Sequence, residues 1–345
     1  MKNSPLKIGI IGLGVGMRHA KACSTLSDVK LVALSDQNQD RLSAAASELG
    51  VSKTYVDGKK LIEEADVDAL IIALPNHLHA PFSIHALHCG KHVLVEKPIA
   101  STIESAQAMI QASRETGRIL MVGYNQRFEP LHVAAHQYIQ QSHLGDIYYA
   151  KTSWLRRNGI PWWYEAGSKG ALSTDIAGGG PLMDLGIHRL DFALHLMGFP
   201  KVQSVDGTTF SSLGILQGRQ QAINFALEDA GVAIIRFKDN RALFLEAAWT
   251  IHCKESNEIQ TILYGSKGGM CLGNQVEVYS NEDHIQTDTL LIPKQSPESG
   301  GVTGHFCRVV QGKEQPLITM DQALTGLTII KAIYQSARTG KPVFF

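Results

Sequence analysis

Six short apolar runs punctuate the first 123 residues: Lys7–Ile11, Lys30–Ser35, Ser52–Tyr55, Val67–Ala73, His92–Glu96 and Ile119–Gly123. Helical stretches separate most of them. One follows the first run to about Ser27, and the others cover Gln39–Leu49 with a Gly50 stop, Ala80–Cys89 and Thr102–Thr116. Apolar strands alternating with helices leave few folds open, because such strands must be buried on both faces by the helices that connect them. The first third is therefore expected to be a doubly wound parallel sheet of the Rossmann, nucleotide-binding type.

After about Tyr124 the grammar changes. A helix is predicted over Pro130–Gln141 and another over Pro181–Met197. Strand-like runs then dominate, at Ile147–Leu155, Val202–Phe210, Val232–Phe237, Ala242–His252, Ile259–Tyr264 and Gln275–Tyr279, before a last helix over about Met320–Thr339. Turns such as Asp239-Asn240 and Gly265-Ser266-Lys267-Gly268 between the runs are the mark of an antiparallel sheet. The expectation is an α/β chain of two domains. Residues 1–123 form the dinucleotide-binding domain, and residues 124–345 form an α+β domain with a large, mostly antiparallel open sheet for substrate binding and self-association. A sheet face free of its own helices favours a homodimer or homotetramer.

With 345 residues, 32 basic and 32 acidic side chains and zero formal charge, nothing suggests a nucleic-acid or anionic-membrane partner. No apolar run is long enough to span a bilayer. Ile8–Val15 is broken by glycines and followed by Arg18 and Lys21, so it reads as a first strand rather than a leader, and a cytoplasmic location is expected. The five cysteines show no redox or metal spacing and read as free thiols. The histidines around Asn76-His77-Leu78-His79 match no zinc pattern, so no metal is expected.

The chemistry-bearing motifs begin directly after the first apolar run. Gly12-Leu13-Gly14-Val15-Gly16-Met17 opens a helix, and glycines at such a turn let backbone amides approach a pyrophosphate. The spacing departs from the common fingerprint, whose third glycine position is Met17 here. Either the loop is one residue shorter or Met17 replaces the small residue. Asp36 ends the second run, where a carboxylate accepts from a ribose diol and repels a 2′-phosphate. Gln37 and Asn38 carry no offsetting cation and the nearest is Arg41, which favours NAD over NADP. The alternative for Asp36 is a helix cap.

A second motif lies in the other domain. Gly178-Gly179-Gly180-Pro181 leads into a helix that is apolar nearly all round, with Asp184, His188, Asp191 and His195 on one face and Arg189 as the outlier. A polar stripe on a buried helix must find partners or line a cavity. Asp184 and His188, one turn apart, are either satisfied core groups or an acid–base pair.

Taken together, Gly12 and Gly14, Asp36, Leu74–His79, Glu96-Lys97-Pro98, Asn125–Phe128, Gly178–His188 and Tyr264–Gly269 resemble the glucose–fructose oxidoreductase / inositol dehydrogenase / MocA (Gfo/Idh/MocA) family over essentially the whole chain. The resemblance implies that Lys97, Asp184 and His188 are a catalytic trio. It also implies that Pro75, Asn76, His79, Glu96 and Lys97 lie along the cofactor with Gly12, Gly14, Val15, Gly16 and Asp36. The implied activity is NAD-dependent oxidation of a secondary hydroxyl on a sugar, cyclitol or related polyol, with His188 as base and Lys97 holding the developing alkoxide. Asp191 could orient His188 from behind or merely solvate the helix. Arg127 divides between a substrate or cofactor contact and a structural pair. Trp154, Arg156, Arg157, Trp162, Trp163 and Tyr164 supply aromatic faces and donors suited to a polyol, or else core and interface contacts. Among these, Arg127, Arg157, Trp163 and Tyr164 join Asp184 and His188 as candidate substrate contacts. Two other readings keep the fold: a glycosidase- or lyase-type enzyme that uses NAD without net redox, and a non-catalytic nucleotide or sugar sensor.

Overall fold

The computed structural model describes residues 4–161, 177–220, 225–282, 285–293 and 300–345. Two compact units result, one drawn from Met1–Asn125 and Ser296–Leu324, the other from Gln126–Gln295 and Thr325–Phe345. The contiguous division expected from the sequence, 1–123 and 124–345, differs from this one in counting residues 300–324 with the second domain. The helix Gly301–Val310, which no periodicity in that glycine-bearing stretch announced, packs in the first unit rather than the second.

The first unit holds a six-stranded parallel sheet in the order β3-β2-β1-β4-β5-β6. The strands are β1 (Leu6–Ile11), β2 (Val29–Ser35), β3 (Lys53–Tyr55), β4 (Ala69–Ile72), β5 (His92–Val95) and β6 (Leu120–Val122). All four residues of β4 are buried, as a central strand covered on both faces requires. Helices α1 (Gly16–Ser24), α2 (Gln39–Leu49), α3 (Gly58–Glu64), α4 (Asn76–His88) and α5 (Ile103–Thr116) connect them. Their ends follow local chemistry. Asn38 caps α2 by accepting from the Arg41 amide and Gly50 closes it at φ 65°. Asp57 caps α3 through the Lys59 amide, a start signal that the sequence reading passed over. The strand order reverses between β1 and β4, and in such sheets ligands bind outside the carboxyl ends of the strands at that point.

The second unit holds a nine-stranded sheet in the order β14-β13-β12-β11-β7-β10-β9-β8-β15. It comprises β7 (Ile147–Arg156), β8 (Val202–Phe210), β9 (Ala230–Phe237), β10 (Ala242–Ala248), β11 (Asn257–Gly265), β12 (Gly268–Leu272), β13 (Val276–Glu282), β14 (Ile285–Leu291) and the two-residue β15 (Val343–Phe344). Every pairing is antiparallel except β10 with β7. Along β10, Leu243, Leu245 and Ala247 are buried while Ala242, Phe244 and Glu246 are partly exposed, the two-residue period of a sheet with one covered face. The covered face meets a largely buried helical segment, a π turn over Leu182–Gly186 continuing into α6 (Ile187–Leu196). No helix of the described residues is long and apolar enough to cross a membrane.

Candidate active site

In the first unit, the turn between β1 and α1 is shaped by its three glycines in three different ways. Gly12 has φ 89°, and a Cβ there would sit 2.2 Å from the Ala73 carbonyl oxygen. Its amide donates to the Ser35 carbonyl at 2.8 Å. At Gly14 a Cβ would have nothing within 4 Å, so the backbone borders open space. At Gly16 a Cβ would meet Ile10 at 3.1 Å and Ala73 at 3.3 Å, the close helix-to-strand approach that the third glycine of a dinucleotide turn serves. The loop is therefore one residue shorter than the common fingerprint, and Met17 is no substitute for the missing glycine. No side chain caps α1 at Val15, and the N-terminus of a helix favours an anion.

These features fit a dinucleotide and give a contrast that can be measured. Gly12→Ala forces a side chain into both a left-handed conformation and a carbonyl, and should destabilise this unit by about 2 kcal/mol or more. Gly14→Ala should leave the unfolding midpoint unchanged and weaken dinucleotide binding. Thermal denaturation and cofactor titration of the two variants check the pair.

Asp36 ends at β2 with 8% of its surface exposed. It accepts from the Leu13 amide at 2.8 Å and the Asn38 amide at 2.8 Å, and Arg41 clasps both its oxygens. Pro75 is exposed and Asn76, half-buried, begins α4. Helix α4 thus starts four residues before the predicted Ala80. His79 is fully buried, with Nδ1 at 2.8 Å from the Pro98 carbonyl and Nε2 at 2.8 Å from the Leu74 carbonyl. Burial pulls its pKa down, against the pull of the two carbonyls and Glu96. His79 ties the loop after β4 to the turn after β5.

That turn carries Glu96, Lys97 and Pro98, with a cis bond between the last two. Glu96 is 5% exposed and works inward. Its Oε1 faces His19 Nε2 at 2.9 Å and Arg18 at 3.3 Å, and its Oε2 accepts from the Lys97 amide at 3.1 Å. His19 is fixed in turn by Thr303 at 2.7 Å. Burial opposes ionisation of Glu96, but the His19 hydrogen bond and the charges of His19, Lys97 and Arg18 win, and its carboxyl is held at about 2. The side chain of Lys97 is half-buried.

In the second unit, the Gly178–Pro181 loop is explained by close approach. A Cβ on Gly180 would lie 2.3 Å from the Glu228 carbonyl oxygen. The Glu228 side chain accepts from the Gly180 amide at 2.8 Å, the Leu182 amide at 3.4 Å and the Tyr334 hydroxyl at 2.6 Å. Burial pushes its pKa up. These bonds anchor the start of the segment that bears Asp184 and His188.

The polar stripe predicted on that segment divides among different neighbours. Asp184 is half-buried and accepts from the Trp249 indole N–H at 2.9 Å. His188 is 8% exposed, its ring 5.9 Å from that of Trp154. Trp154 donates to Asn257 at 2.9 Å and carries the Arg156 guanidinium on its ring at 5.2 Å. Asp191 does not stand behind His188. It pairs with Arg127 through bonds of 2.8 Å and 2.6 Å, with both side chains buried. The Arg127 side chain is 0% exposed in this pair. His195 stacks on His136 at 4.1 Å. Arg189, the sequence outlier, is buried and donates to Gln126 at 2.7 Å and to Thr261, and burial lowers its pKa to about 9.

Trp249 is the side chain that sequence reading missed. It lies just beyond β10 and is 3% exposed. The signal available was a tryptophan at the end of a run whose inward positions are otherwise small or aliphatic. Arg157 is exposed, its carbonyl accepting from Thr250 at 3.1 Å. Trp162, Trp163 and Tyr164 lie outside the described residues.

The parallel sheet, the glycine turn and the carboxylate at the end of β2 define a dinucleotide-binding fold. Residues 6–124 match the oxidoreductase family with an NAD-binding Rossmann fold, and residues 136–345 match that family's C-terminal alpha/beta domain. The chain belongs to this family, Gfo/Idh/MocA. It is 29% identical to D-glucoside 3-dehydrogenase of Escherichia coli (strain K12), over 99% of this chain and 98% of that protein. It is 27% identical to scyllo-inositol 2-dehydrogenase (NAD(+)) of Bacillus subtilis (strain 168), over 98% and 96%. Its fold is that of levoglucosan dehydrogenase solved in complex with NADH and levoglucosan, with TM-score 0.83 and 22% identity over 99% of each chain.

Proposed function

We propose that this protein oxidises a secondary ring hydroxyl of a glucoside, anhydro sugar or cyclitol, with NAD as the acceptor. The observation that carries the reading is the buried segment presenting His188 and Asp184 beside Trp154 and Trp249. A carboxylate, an imidazole and aromatic walls suit a polyhydroxylated ring. The relatives reinforce it, being named for dehydrogenation of a glucoside and of an inositol.

When bound, the nicotinamide supplies the hydride acceptor. The chain's own residues do the rest. An alcohol gives up its hydride only as its oxygen gains negative charge, so a base must take the hydroxyl proton. His188, the imidazole on the buried segment beside Asp184, fills that role. Lys97, on the turn after β5, offers an ammonium suited to the charge of a developing alkoxide. Asp184, fixed by the Trp249 indole, accepts from a neighbouring ring hydroxyl and sets the ring's orientation. Trp154 covers an apolar ring face, and Arg157 donates to hydroxyls at the exposed side. Gly12, Gly14, Val15, Gly16, Asp36, Pro75 and Asn76 hold the dinucleotide. Glu96 fixes the Lys97 amide from behind.

The test is incubation with NAD and, separately, D-glucosides, levoglucosan and inositols, followed by absorbance of the reduced nicotinamide. Accumulation of NADH with at least one of these classes is expected. Consumption of a glycoside with no NADH would replace this reading with the non-redox one.

A further inference from the structure

The first amides of a helix have no partner within it, and a side chain at its start commonly supplies one. The segment that carries Asp184 and His188 starts at Pro181, where no side chain caps it. Its acceptor comes from 46 residues away. Oε1 of Glu228, a residue 9% exposed, takes the Gly180 amide at 2.8 Å, the Leu182 amide at 3.4 Å and the Tyr334 hydroxyl at 2.6 Å. The long helix Met320–Thr339 supplies the opposite side. Burial and the Glu228 charge push the Tyr334 hydroxyl well above its ordinary pKa, so it remains a donor. A Cβ on Gly179 would lie 2.1 Å from that hydroxyl, and Lys331 donates to the Gly178 carbonyl at 3.0 Å. Gly178, Gly179 and Gly180 thus each meet a side chain from elsewhere in the unit.

The turn that follows gives this clasp its use. Over Leu182–Gly186 the backbone makes a π turn, in which the Ile187 amide returns to the Leu182 carbonyl five residues back. Such turns are rare and occur mostly as single insertions in α-helices. Relaxation to α geometry would shift every residue upstream by one position relative to His188, a rotation of about 100°. Asp184 stands inside this turn, on the Trp249 indole at 2.9 Å. Its place therefore depends on both ends of the turn being held. The burial of α6 holds one end, and Glu228 with Tyr334 holds the other.

We propose that Glu228 and Tyr334 are positioning residues for the oxidation, clasping the upstream end of the segment so that the π turn persists and Asp184 stays on the Trp249 indole. The inference rests on the roles given above to Asp184 and His188. It extends the working site to two side chains that act through the segment alone.

The test pairs kinetics with a signal that needs no turnover. In NMR of protein carrying nitrogen-labelled tryptophan, the Trp249 indole N–H, identified through Trp249→Phe, reports its bond to Asp184. Glu228→Ala should move that resonance and lower kcat/KM for the ring substrate about a hundredfold, the scale of a misplacement of about 1 Å. The Kd for NADH should stay within about twofold, since the clasp lies in the second unit. Glu228→Gln keeps an oxygen for the same donors and should restore both the resonance and kcat/KM to within about threefold of wild type. Tyr334→Phe leaves the carboxylate to the two amides, should lower kcat/KM about tenfold with a smaller movement of the resonance, and serves where Glu228→Ala does not fold. A lowered unfolding midpoint in Glu228→Ala or Tyr334→Phe, with the resonance in place and kcat/KM near wild type, would overturn the proposal and leave the clasp a purely structural one. Wild-type protein that forms no NADH from any ring substrate would remove the dehydrogenase reading and this role with it, a failure distinguishable from the first because it needs no variant.

Discussion

Replacing Lys97 by Ala should lower kcat about a thousandfold while changing the Kd for NADH by less than about threefold. His188→Ala should do the same. A positioned acid or base contributes about a hundredfold to ten-thousandfold, and a fixed cation at a developing oxyanion contributes on a similar scale. Neither loss should unfold the protein. Lys97 is only half-buried, and its turn is held by other atoms: the Glu96 carboxylate on the Lys97 amide, and His79 on the Pro98 carbonyl. The His188 ring is flanked by Trp154, which keeps its own bond to Asn257. Steady-state kinetics, together with cofactor titration, read both effects. Near-normal turnover in either variant would remove that residue from the chemistry.

Asp191→Ala should cost about 3–5 kcal/mol of stability in the second unit. Arg127 and Asp191 meet through two short bonds with side-chain exposures of 0% and 2%. Deleting one member of a buried pair strands the other charge without solvent. Burial alone pushes the Asp191 carboxyl up, against the pull of Arg127, so the pair stands on mutual compensation. A double variant with apolar residues at both positions should therefore recover most of the loss, since neither charge then remains to be buried. Urea denaturation monitored in the second unit measures all three variants. A cost under about 1 kcal/mol for Asp191→Ala would mean that solvent reaches the stranded Arg127.

The fold was legible where the deciding physics is local. A continuous apolar run such as Ala69–Ile72 can only be a covered strand, and Asn38 and Gly50 bound α2 by chemistry confined to a few neighbouring residues. Gly12 and Asp36 were legible for the same reason, each lying at a strand end that announces itself. What the sequence withheld depends on partners far along the chain. Asp191 and Arg127 are 64 residues apart, and no periodicity along one helix can tell a paired aspartate from a free one. Asp184 and Trp249 are 65 apart. The two carbonyls that claim the His79 ring belong to loops shaped only by the finished sheet. The third glycine is a subtler case. A fixed motif spacing pointed to Met17, whereas contact with Ile10 and Ala73 shows Gly16 in the packing position. The compensation of Asp36 by Arg41 lay in plain view five residues away, yet only coordinates show the guanidinium folded back onto both oxygens.

The most direct test of the account follows a single atom. A ring substrate that yields NADH is prepared with deuterium on the carbon bearing the oxidised hydroxyl, and the reduced nicotinamide is analysed by mass spectrometry. If the ring carbon gives its hydride to the cofactor, the deuterium is recovered in the nicotinamide and turnover slows with the heavier isotope. Deuterium lost to water, or retained in a product formed without reduced cofactor, would contradict it.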